Sequence, residues 1–364
     1  MKISVSMATY NGEQFIGEQL SSIAAQTQLP HELVVTDDCS TDRTFEIVNE
    51  FASSAPFPVK ASRNPSNRGF RETFYRSAMA TQGEWIAFCD QDDVWMPNKL
   101  STLDDAIQKS TPSLTLIAHS AEVVDAQLTP SGIAWPKFRS RTVRPGTRFP
   151  IWWNCPGFAL AVRSDLLPVI SEMSLDSLEL HGLSRLEQSS HDIWAAAVAQ
   201  AVGDSLLLPE KLVLYRRHTR STSSVARAGG AGKEGIRKSY QLNFRMARAF
   251  TSDRQGTYEL RARVAAVHAD IFRRLSQAKD PPEWASKFMD AEERYRGFSK
   301  WMQRRSALRE PSKTAHRALR FIILVLGLGY FRFFGGSSLG APVLIRELMV
   351  DFLAVFSPRY RSST

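Results

Sequence analysis

Short apolar runs alternate with segments of helical spacing over the first ninety residues. Runs of β-branched and aromatic residues predict strands, and apolar residues that recur every three or four positions predict helices. The predicted strands are residues 3–7, 33–36, 59–62 and 85–89. The predicted helices are residues 13–26, a segment through Phe45, Val48 and Phe51, and a segment that ends near residue 81. This alternation predicts an α/β fold with a mostly parallel sheet wound by helical crossovers.

The pattern becomes less regular after residue 110. Apolar runs predict strands at residues 114–120, 158–162 and 212–217, and helical spacing predicts helices at residues 164–173 and 191–202. Residues 129–150 contain four prolines and five basic residues, which indicates a long irregular loop.

Charge divides the chain into an acidic part and a basic part. Residues 1–219 contain 19 Lys and Arg against 25 Asp and Glu, whereas residues 220–320 contain 23 against 10. The glycine-rich segment 228–232 lies where the balance changes and is typical of a linker. We therefore expect a nucleotide-binding domain at 1–225, a basic helical region at 226–310 and an amphipathic helical tail at 311–364. The positive net charge of residues 220–320 indicates an anionic partner.

Polar clusters follow three of the first four predicted strands. Thr9 and Asn11 follow the first, Asp38 follows the second, and residues 90–93 follow the fourth. Ligands of open parallel sheets bind beyond the carboxyl ends of the strands. The positions of these side chains therefore predict a binding site at that edge of the sheet.

Residues 90–93 place three carboxylates, Asp90, Asp92 and Asp93, in four positions. Carboxylates this close repel one another, and hard cations such as Mg²⁺ or Mn²⁺ offset the repulsion. A solvated acidic turn is the alternative interpretation. Simple structural roles are open for other residues as well, since Asp38 and Asp192 each precede or begin a helix and are also explained as caps.

The order of these motifs resembles inverting glycosyltransferases of family 2, and within them the rhamnosyltransferase-like members. The resemblance covers about residues 1–220. It rests on Ala8-Thr9-Tyr10-Asn11-Gly12, Asp37-Asp38-Cys39-Ser40-Thr41-Asp42, Asn64-Pro65-Ser66-Asn67-Arg68-Gly69-Phe70, Asp90-Gln91-Asp92-Asp93-Val94-Trp95 with Pro97 and Lys99, Gly157, His191-Asp192 and Tyr215-Arg216-Arg217-His218. It implies a GT-A-type fold with a Rossmann-like nucleotide-binding sheet.

The resemblance also implies roles for individual side chains. It implies a divalent metal, Mn²⁺ or Mg²⁺, held by Asp92 and Asp93 with His218, and a catalytic base at Asp192. The residues that it implies around the nucleotide-sugar are Thr9, Asn11, Asp38, Arg68, Asp90, Arg217 and His218. The implied donor is dTDP-rhamnose or a UDP-sugar, and the implied acceptor is a glycan or glycolipid of the cell envelope. A Gln-x-x-Arg-Trp motif, typical of processive relatives, is absent from the sequence.

Two other functions fit part of the pattern. A metal-dependent nucleotidyltransferase also needs carboxylates at strand ends, but it does not need Asp192 and releases pyrophosphate. An inactive transferase-like scaffold at the membrane is the alternative that is not an enzyme. The basic charge comes with no recognisable nucleic-acid-binding motif, so we expect no nucleic acid partner.

The tail contains an uncharged run at residues 321–331 and a second amphipathic segment at residues 339–356. A bilayer span needs about 20 apolar residues, so the first run is too short to cross. We expect an interfacial helix on an anionic membrane, although packing of the two helices on each other or in a homo-oligomer also explains the pattern. The first residues lack the apolar core of a secretory signal, and there are only three cysteines. We therefore expect a peripheral protein on the cytoplasmic face of the bacterial inner membrane.

Overall fold

The computed structural model describes residues 1–146, 151, 155–180, 182, 188–218, 254–278, 283–308, 314–326, 348 and 351. These residues form two compact units. The first contains residues 1–146, 155–180, 182 and 188–218, and the second contains the remainder. The predicted boundaries near 225 and 310, the linker at 228–232 and nearly all of the predicted segment 339–356 lie outside the described residues. The three-part division therefore stays a prediction.

Ten strands of the first unit form one mixed sheet. They are β1 (Ile3–Thr9), β2 (Glu32–Asp37), β3 (Val59–Arg63), β4 (Trp85–Cys89), β5 (Val94–Trp95), β6 (Leu114–Val124), β7 (Pro130–Ala134), β8 (Thr142–Arg144), β9 (Leu160–Arg163) and β10 (Asp204–Arg216). The order is β3-β2-β1-β4-β9-β6-β10-β5, with β7 beside β6 and β8 beside β10.

Seven α-helices of the first unit flank or connect these strands. They are α1 (Ile16–Ala24), α2 (Thr44–Ala52), α3 (Phe70–Met79), α4 (Lys99–Gln108), α5 (Leu167–Ile170), α6 (Leu175–Leu180) and α7 (His191–Val202). The predicted fold class, a mixed α/β sheet flanked by helices, is confirmed.

The parallel half of the sheet brings three strand ends together. β1 pairs in parallel with both β2 and β4, and β2 pairs in parallel with β3. β1, β2 and β4 are buried along their whole length, which fits strands covered on both faces. The carboxyl ends of β1, β2 and β4 therefore lie side by side and present the loops that follow Thr9, Asp37 and Cys89.

The other half of the sheet is mixed. β9 runs antiparallel to β4 and β6, whereas β10 runs parallel to β6. The last residues of β10 thus approach the same edge, because β5, which follows the loop 90–93, pairs with Val213 and Leu214.

The segment predicted to be an irregular loop, residues 129–150, contains β7 and β8. The carboxylate of Asp125 accepts hydrogen bonds from the backbone N–H groups of Gln127 and Thr129, and Leu128 has a φ of 64°. This turn directs β7 back along β6. The predicted helix at 164–173 is also different, since it consists of α5 between two short 3₁₀ turns.

Three helices are described in the second unit, α8 (Arg254–Ser276), α9 (Ala285–Ala307) and α10 (Thr314–Leu326). α8 and α9 run antiparallel, because Ser299 Oγ donates to the carbonyl of Ala262 at one end and Phe272 stacks on Phe288 at the other. Among the described residues, none of the helices has the length and apolar character that crossing a membrane requires.

Candidate functional site

The loop after β1 is held against the loop after β4 by one side-chain amide. Gln91 Oε1 accepts from the Tyr10 N–H at 2.9 Å, and Gln91 Nε2 donates to the Tyr10 carbonyl at 3.0 Å. A side chain at Gly12 does not fit, since its Cβ would lie 2.4 Å from Gln91 Oε1. A larger residue at position 12 would thus displace the Gln91 amide that joins these two loops.

Thr9 and Asn11 connect the loop after β1 to the loop after β2. Thr9 Oγ1 donates to Asp37 Oδ1 at 2.9 Å, and Asn11 Oδ1 accepts from the Thr41 N–H at 2.9 Å. Asn11 has a φ of 46°, a conformation that asparagine adopts more readily than most residues. Both side chains therefore shape the rim of the site, and their predicted contact with a nucleotide stays a prediction.

Asp38 is buried and holds the turn that precedes α3. Its Oδ1 accepts from the Arg68 N–H at 2.8 Å and from Asn64 Nδ2 at 2.9 Å, and its Oδ2 accepts from the Gly69 N–H at 2.8 Å. Gly69 has a φ of 89°, which favours glycine. The Arg68 guanidinium forms an ion pair with Asp176 at 2.6 Å. The structure thus brings Asp38 and Arg68 together, with their predicted roles toward a nucleotide untested.

Asp90, Asp92 and Asp93 converge directly after β4. Each offers one carboxylate oxygen, and these atoms all lie within 4.8 Å of one another. Asp93 is buried, with Oδ1 accepting from the Arg216 N–H at 2.9 Å, while its buried Oδ2 has no hydrogen-bond partner in the described part of the chain. An orphan buried carboxylate oxygen is costly without a partner. The donor set therefore fits a hard divalent cation.

The raised pKa values of the clustered aspartates also fit a bound cation. Burial raises the pKa of Asp93 well above its usual value, and the carboxylates of Asp92 and Asp90 raise it further. Burial, Asp92 and Asp192 together raise the pKa of Asp90 to about 8, whereas the Lys99 ammonium opposes the shift. These carboxylates lack sufficient positive charge, which a bound cation supplies.

Lys99 is a buried residue whose positive charge lowers the pKa of Asp90 and Asp93. Its ammonium donates to the Phe158 carbonyl at 2.8 Å and lies 3.7 Å from the centre of the Trp95 ring. Burial lowers the pKa of Lys99 to about 7, and electrostatic interactions with Cys89, Asp93 and Asp90 oppose that shift.

His218 lies directly on the cluster. Its Nε2 is 2.7 Å from Asp92 Oδ2, and its ring lies 4.6 Å from the Phe15 ring. The predicted trio of Asp92, Asp93 and His218 is therefore assembled at one place. Arg217 lies elsewhere, with Nη1 donating to the Tyr215 hydroxyl at 2.5 Å, and its predicted approach to a diphosphate stays a prediction.

Arg216 is the residue that sequence reasoning missed. It is 2% exposed and stacks on Phe15 at 4.5 Å. Its guanidinium donates to the Asp92 carbonyl at 2.8 Å, to the Ala126 carbonyl at 2.6 Å and to the Glu18 carboxylate. Alternation along β10 was the available signal, because residues 216 and 218 share one face of an extended segment and residue 217 lies on the other.

Asp192 lies in the first turn of α7. Its Oδ1 accepts from the Ser190 hydroxyl and from the Ile193 N–H at 2.8 Å. Its charge also raises the pKa of Asp90, which places the two carboxylates in electrostatic reach. A carboxylate in this position can accept a proton from a hydroxyl group.

Residues 4–167 match the family model described as glycosyl transferase family 2. The chain is 37% identical over 105 residues to the dTDP-rhamnosyl transferase RfbG of Shigella flexneri, covering 28% of this chain and 36% of that protein. It is 31% identical over 139 residues to the Escherichia coli UDP-Glc:alpha-D-GlcNAc-diphosphoundecaprenol beta-1,3-glucosyltransferase WfgD, covering 37% and 54%. The matched segments span 36% to 59% of the length of such relatives.

The fold is similar to that of S. aureus TarS residues 1–349 in complex with UDP. The TM-score is 0.52 at 16% sequence identity, with 98% of this chain and 89% of that chain covered. This likeness concerns the fold and confirms the predicted GT-A-type architecture. Residues 4–167, just under half of the chain, are therefore similar to glycosyl transferase family 2.

Proposed function

We propose that this protein is an inverting glycosyltransferase that moves a sugar from a nucleoside diphosphate to a hydroxyl group of its acceptor. The observation that carries the proposal is the convergence of Asp90, Asp92 and Asp93 at the end of β4, with Asp192 in electrostatic reach. One carboxylate group that binds cations and another that takes a proton are what such a transfer needs.

A divalent cation, Mn²⁺ or Mg²⁺, fits the cluster, and Asp92, Asp93 and His218 are the residues proposed to hold it. The orphan Asp93 Oδ2 supports this choice, as does the position of His218 Nε2 beside Asp92. When bound, such a cation neutralises the charge that develops on the leaving diphosphate. Arg216 keeps the backbone of the loop in place through the Asp92 carbonyl.

Asp192 is proposed as the general base. The acceptor hydroxyl transfers its proton to the Asp192 carboxylate while its oxygen attacks the anomeric carbon from the face opposite the diphosphate. The bond between that carbon and the diphosphate oxygen breaks, and the nucleoside diphosphate leaves with the electron pair. The Ser190 hydroxyl and the Ile193 N–H hold the carboxylate in one orientation.

The donor and acceptor are proposed from the relatives. The S. flexneri relative is named as a dTDP-rhamnosyl transferase and the E. coli relative acts on a diphosphoundecaprenol-linked sugar. We propose dTDP-L-rhamnose as the first donor to test, followed by UDP-sugars. The proposed acceptor is a lipid-linked glycan of the cell envelope.

We further propose that α10 rests on an anionic membrane at the cytoplasmic face. Leu319, Ile322 and Ile323 share one side of this helix and are 54%, 51% and 49% exposed. An exposed apolar helix face of this kind marks a surface that contacts a membrane or another protein. The net positive charge of residues 220–320 favours acidic lipid headgroups. A second copy of the chain is the alternative partner for this apolar face.

The products of the reaction test the proposed function. Purified protein is incubated with a panel of nucleotide-sugars, Mn²⁺ or Mg²⁺ and an extract of lipid-linked glycans. We expect release of nucleoside diphosphate and a product extended by one sugar. Release of pyrophosphate would instead indicate a nucleotidyltransferase, and an absence of both binding and turnover across the panel would favour the inactive scaffold.

A further inference from the structure

The imidazole of His191, beside the proposed base, is buried in an aromatic cluster. Its ring stacks on Phe74 with 3.8 Å between centroids and an angle of 17°, and it meets the edge of Phe88 at 5.2 Å. The residue is 5% exposed, and neither ring nitrogen has a hydrogen-bond partner among the described residues. The ring is thus held by packing, and no side chain in the described part of the chain is hydrogen-bonded to it to relay a proton.

Gly157 lies against the edge of the His191 ring that contains Nε2. A Cβ on Gly157 would lie 2.5 Å from His191 Nε2 and 3.3 Å from Cε1. Real Cβ atoms do not approach other atoms this closely, and Phe74 already blocks movement of the ring in the stacking direction. Space alone therefore requires a glycine at this position.

The segment that contains Gly157 is itself held in place by a hydrogen bond from Lys99. Gly157 belongs to the short 3₁₀ helix Gly157–Ala159, and the carbonyl of Phe158 accepts from the buried Lys99 ammonium. The 3₁₀ helix therefore has little freedom to move away from the ring. Burial also lowers the pKa of His191 to about 4, which keeps the ring uncharged near neutral pH.

We propose that Gly157 and His191 are positioning residues: their contact fixes the first turn of α7 and so sets the place of the Asp192 carboxylate relative to the acidic cluster. The inference rests on the proposed function, since Asp192 is the proposed base. It assigns His191 a steric role, in which the imidazole acts through its shape and transfers no proton. A glycine at 157 is then a requirement of catalysis as well as of packing.

A double-mutant cycle tests the contact, with Gly157→Ala, His191→Ala and the double variant. Gly157→Ala should lower kcat about 10- to 100-fold, as displacement of a reacting group by about 1 Å can, while metal-dependent nucleotide affinity stays unchanged. In the His191→Ala background the added alanine should change kcat by about two-fold at most. Gly17→Ala is the matched control, because a Cβ there meets nothing within 4 Å.

The crystal structure of the Gly157→Ala protein gives a result that does not depend on activity. We expect the Asp192 carboxylate to move by more than about 0.5 Å, the tolerance within which catalytic groups must be held. An unmoved carboxylate overturns the proposal even if the wild type proves to be inactive. Unchanged kcat in Gly157→Ala, an equal loss in both backgrounds, or a parallel loss of nucleotide affinity overturns it as well.

Discussion

The carboxylate of Asp192 is the proposed general base, and its replacement by an amide tests that role. Asp192→Asn keeps the hydrogen-bond acceptor for the Ile193 N–H but removes the proton-accepting charge. We expect the rate of transfer to fall by about 10²–10⁴, while nucleoside diphosphate affinity stays within about two-fold of the wild type. Steady-state kinetics and calorimetric titration measure the two quantities separately.

Asp165→Asn serves as the matched control, since Asp165 is a half-exposed aspartate that pairs with Arg163. Normal turnover in Asp192→Asn would reduce Asp192 to a cap of α7. A loss of nucleotide affinity that matches the loss of rate would show that this aspartate acts on the donor.

Arg216 shows what a single buried cation contributes to the site. Arg216→Met keeps an unbranched side chain but removes the guanidinium, which stacks on Phe15 and donates to the carbonyls of Asp92 and Ala126. Lost hydrogen bonds from a charged group cost roughly 1.5–3 kcal/mol of unfolding free energy. We also expect weaker metal binding, because the loop with Asp92 and Asp93 loses its tie to β10.

Urea denaturation and Mn²⁺ titration test this, with Arg43→Met as the control, since Arg43 is an exposed residue directly before α2. A variant with reduced stability but wild-type metal affinity would show that Arg216 supports the fold alone.

Residue types and their spacing predicted the acidic cluster, and the family resemblance implied its grouping with His218, whereas the role of Arg216 was not predicted. Three carboxylates in four positions can be recognised from the sequence alone. The partners of an arginine depend on loops that are distant in sequence, such as those containing Glu18 and Ala126. For the same reason the sequence did not reveal that Asp38 is occupied by the N–H groups of Arg68 and Gly69.

Strands and helices with one regular period were predicted well from the sequence. α7 begins and ends where its pattern predicts, and β4 does so as well. β7 and β8 were missed because prolines and exposed residues interrupt their alternation. The pairing of β7 with β6 depends on the turn built by Asp125, and β8 pairs with the distant strand β10. The local sequence pattern predicts an element that is buried by its own regularly spaced apolar residues. It is insufficient for a strand that is buried by pairing with a neighbouring strand.

The apolar face of α10 gives a prediction for this helix. Changing Leu319, Ile322 and Ile323 to serine should reduce binding to anionic vesicles, because the buried apolar area is lost. Salt should weaken the remaining attraction, which is on the order of 1 kcal/mol per basic residue near the surface. Vesicle flotation of the full chain at low and high salt measures both effects.

Leu260→Ser with Met289→Ser is the matched control, since both residues are exposed on α8 and α9. Flotation of the triple variant equal to that of the wild type would place any membrane contact elsewhere. A change from dimer to monomer in light scattering, with no flotation of either protein, would identify a second copy as the partner for this face.

Buried histidines make the stability of the molecule depend on pH. Burial lowers the pKa of His268 in the second unit to about 3, so the folded chain keeps the ring neutral while the unfolded chain binds a proton below about pH 6.5. Because the unfolded state takes up more protons, stability decreases as the pH falls from 6.5 toward 3. At pH 5 the loss from this group is roughly 2 kcal/mol.

His268→Gln should remove that part of the dependence. Urea denaturation of both proteins at pH 7.5 and pH 5 gives the comparison, and the contributions of His119 and His191 cancel in the difference between the proteins. Equal loss of stability in the wild type and the variant would contradict a neutral buried His268.

Metal-dependent binding of a nucleoside diphosphate tests the central claim most directly. Calorimetric titration of the wild type with dTDP and UDP, with Mn²⁺ and with a chelator, is compared with Asp92→Asn and with the surface control Asp105→Asn on α4. We predict that the wild type and Asp105→Asn bind a nucleotide only with the metal, and that Asp92→Asn loses this binding while its unfolding transition is preserved. Binding that is independent of the metal, or unchanged in Asp92→Asn, would contradict the assignment of the cluster as the centre of the site.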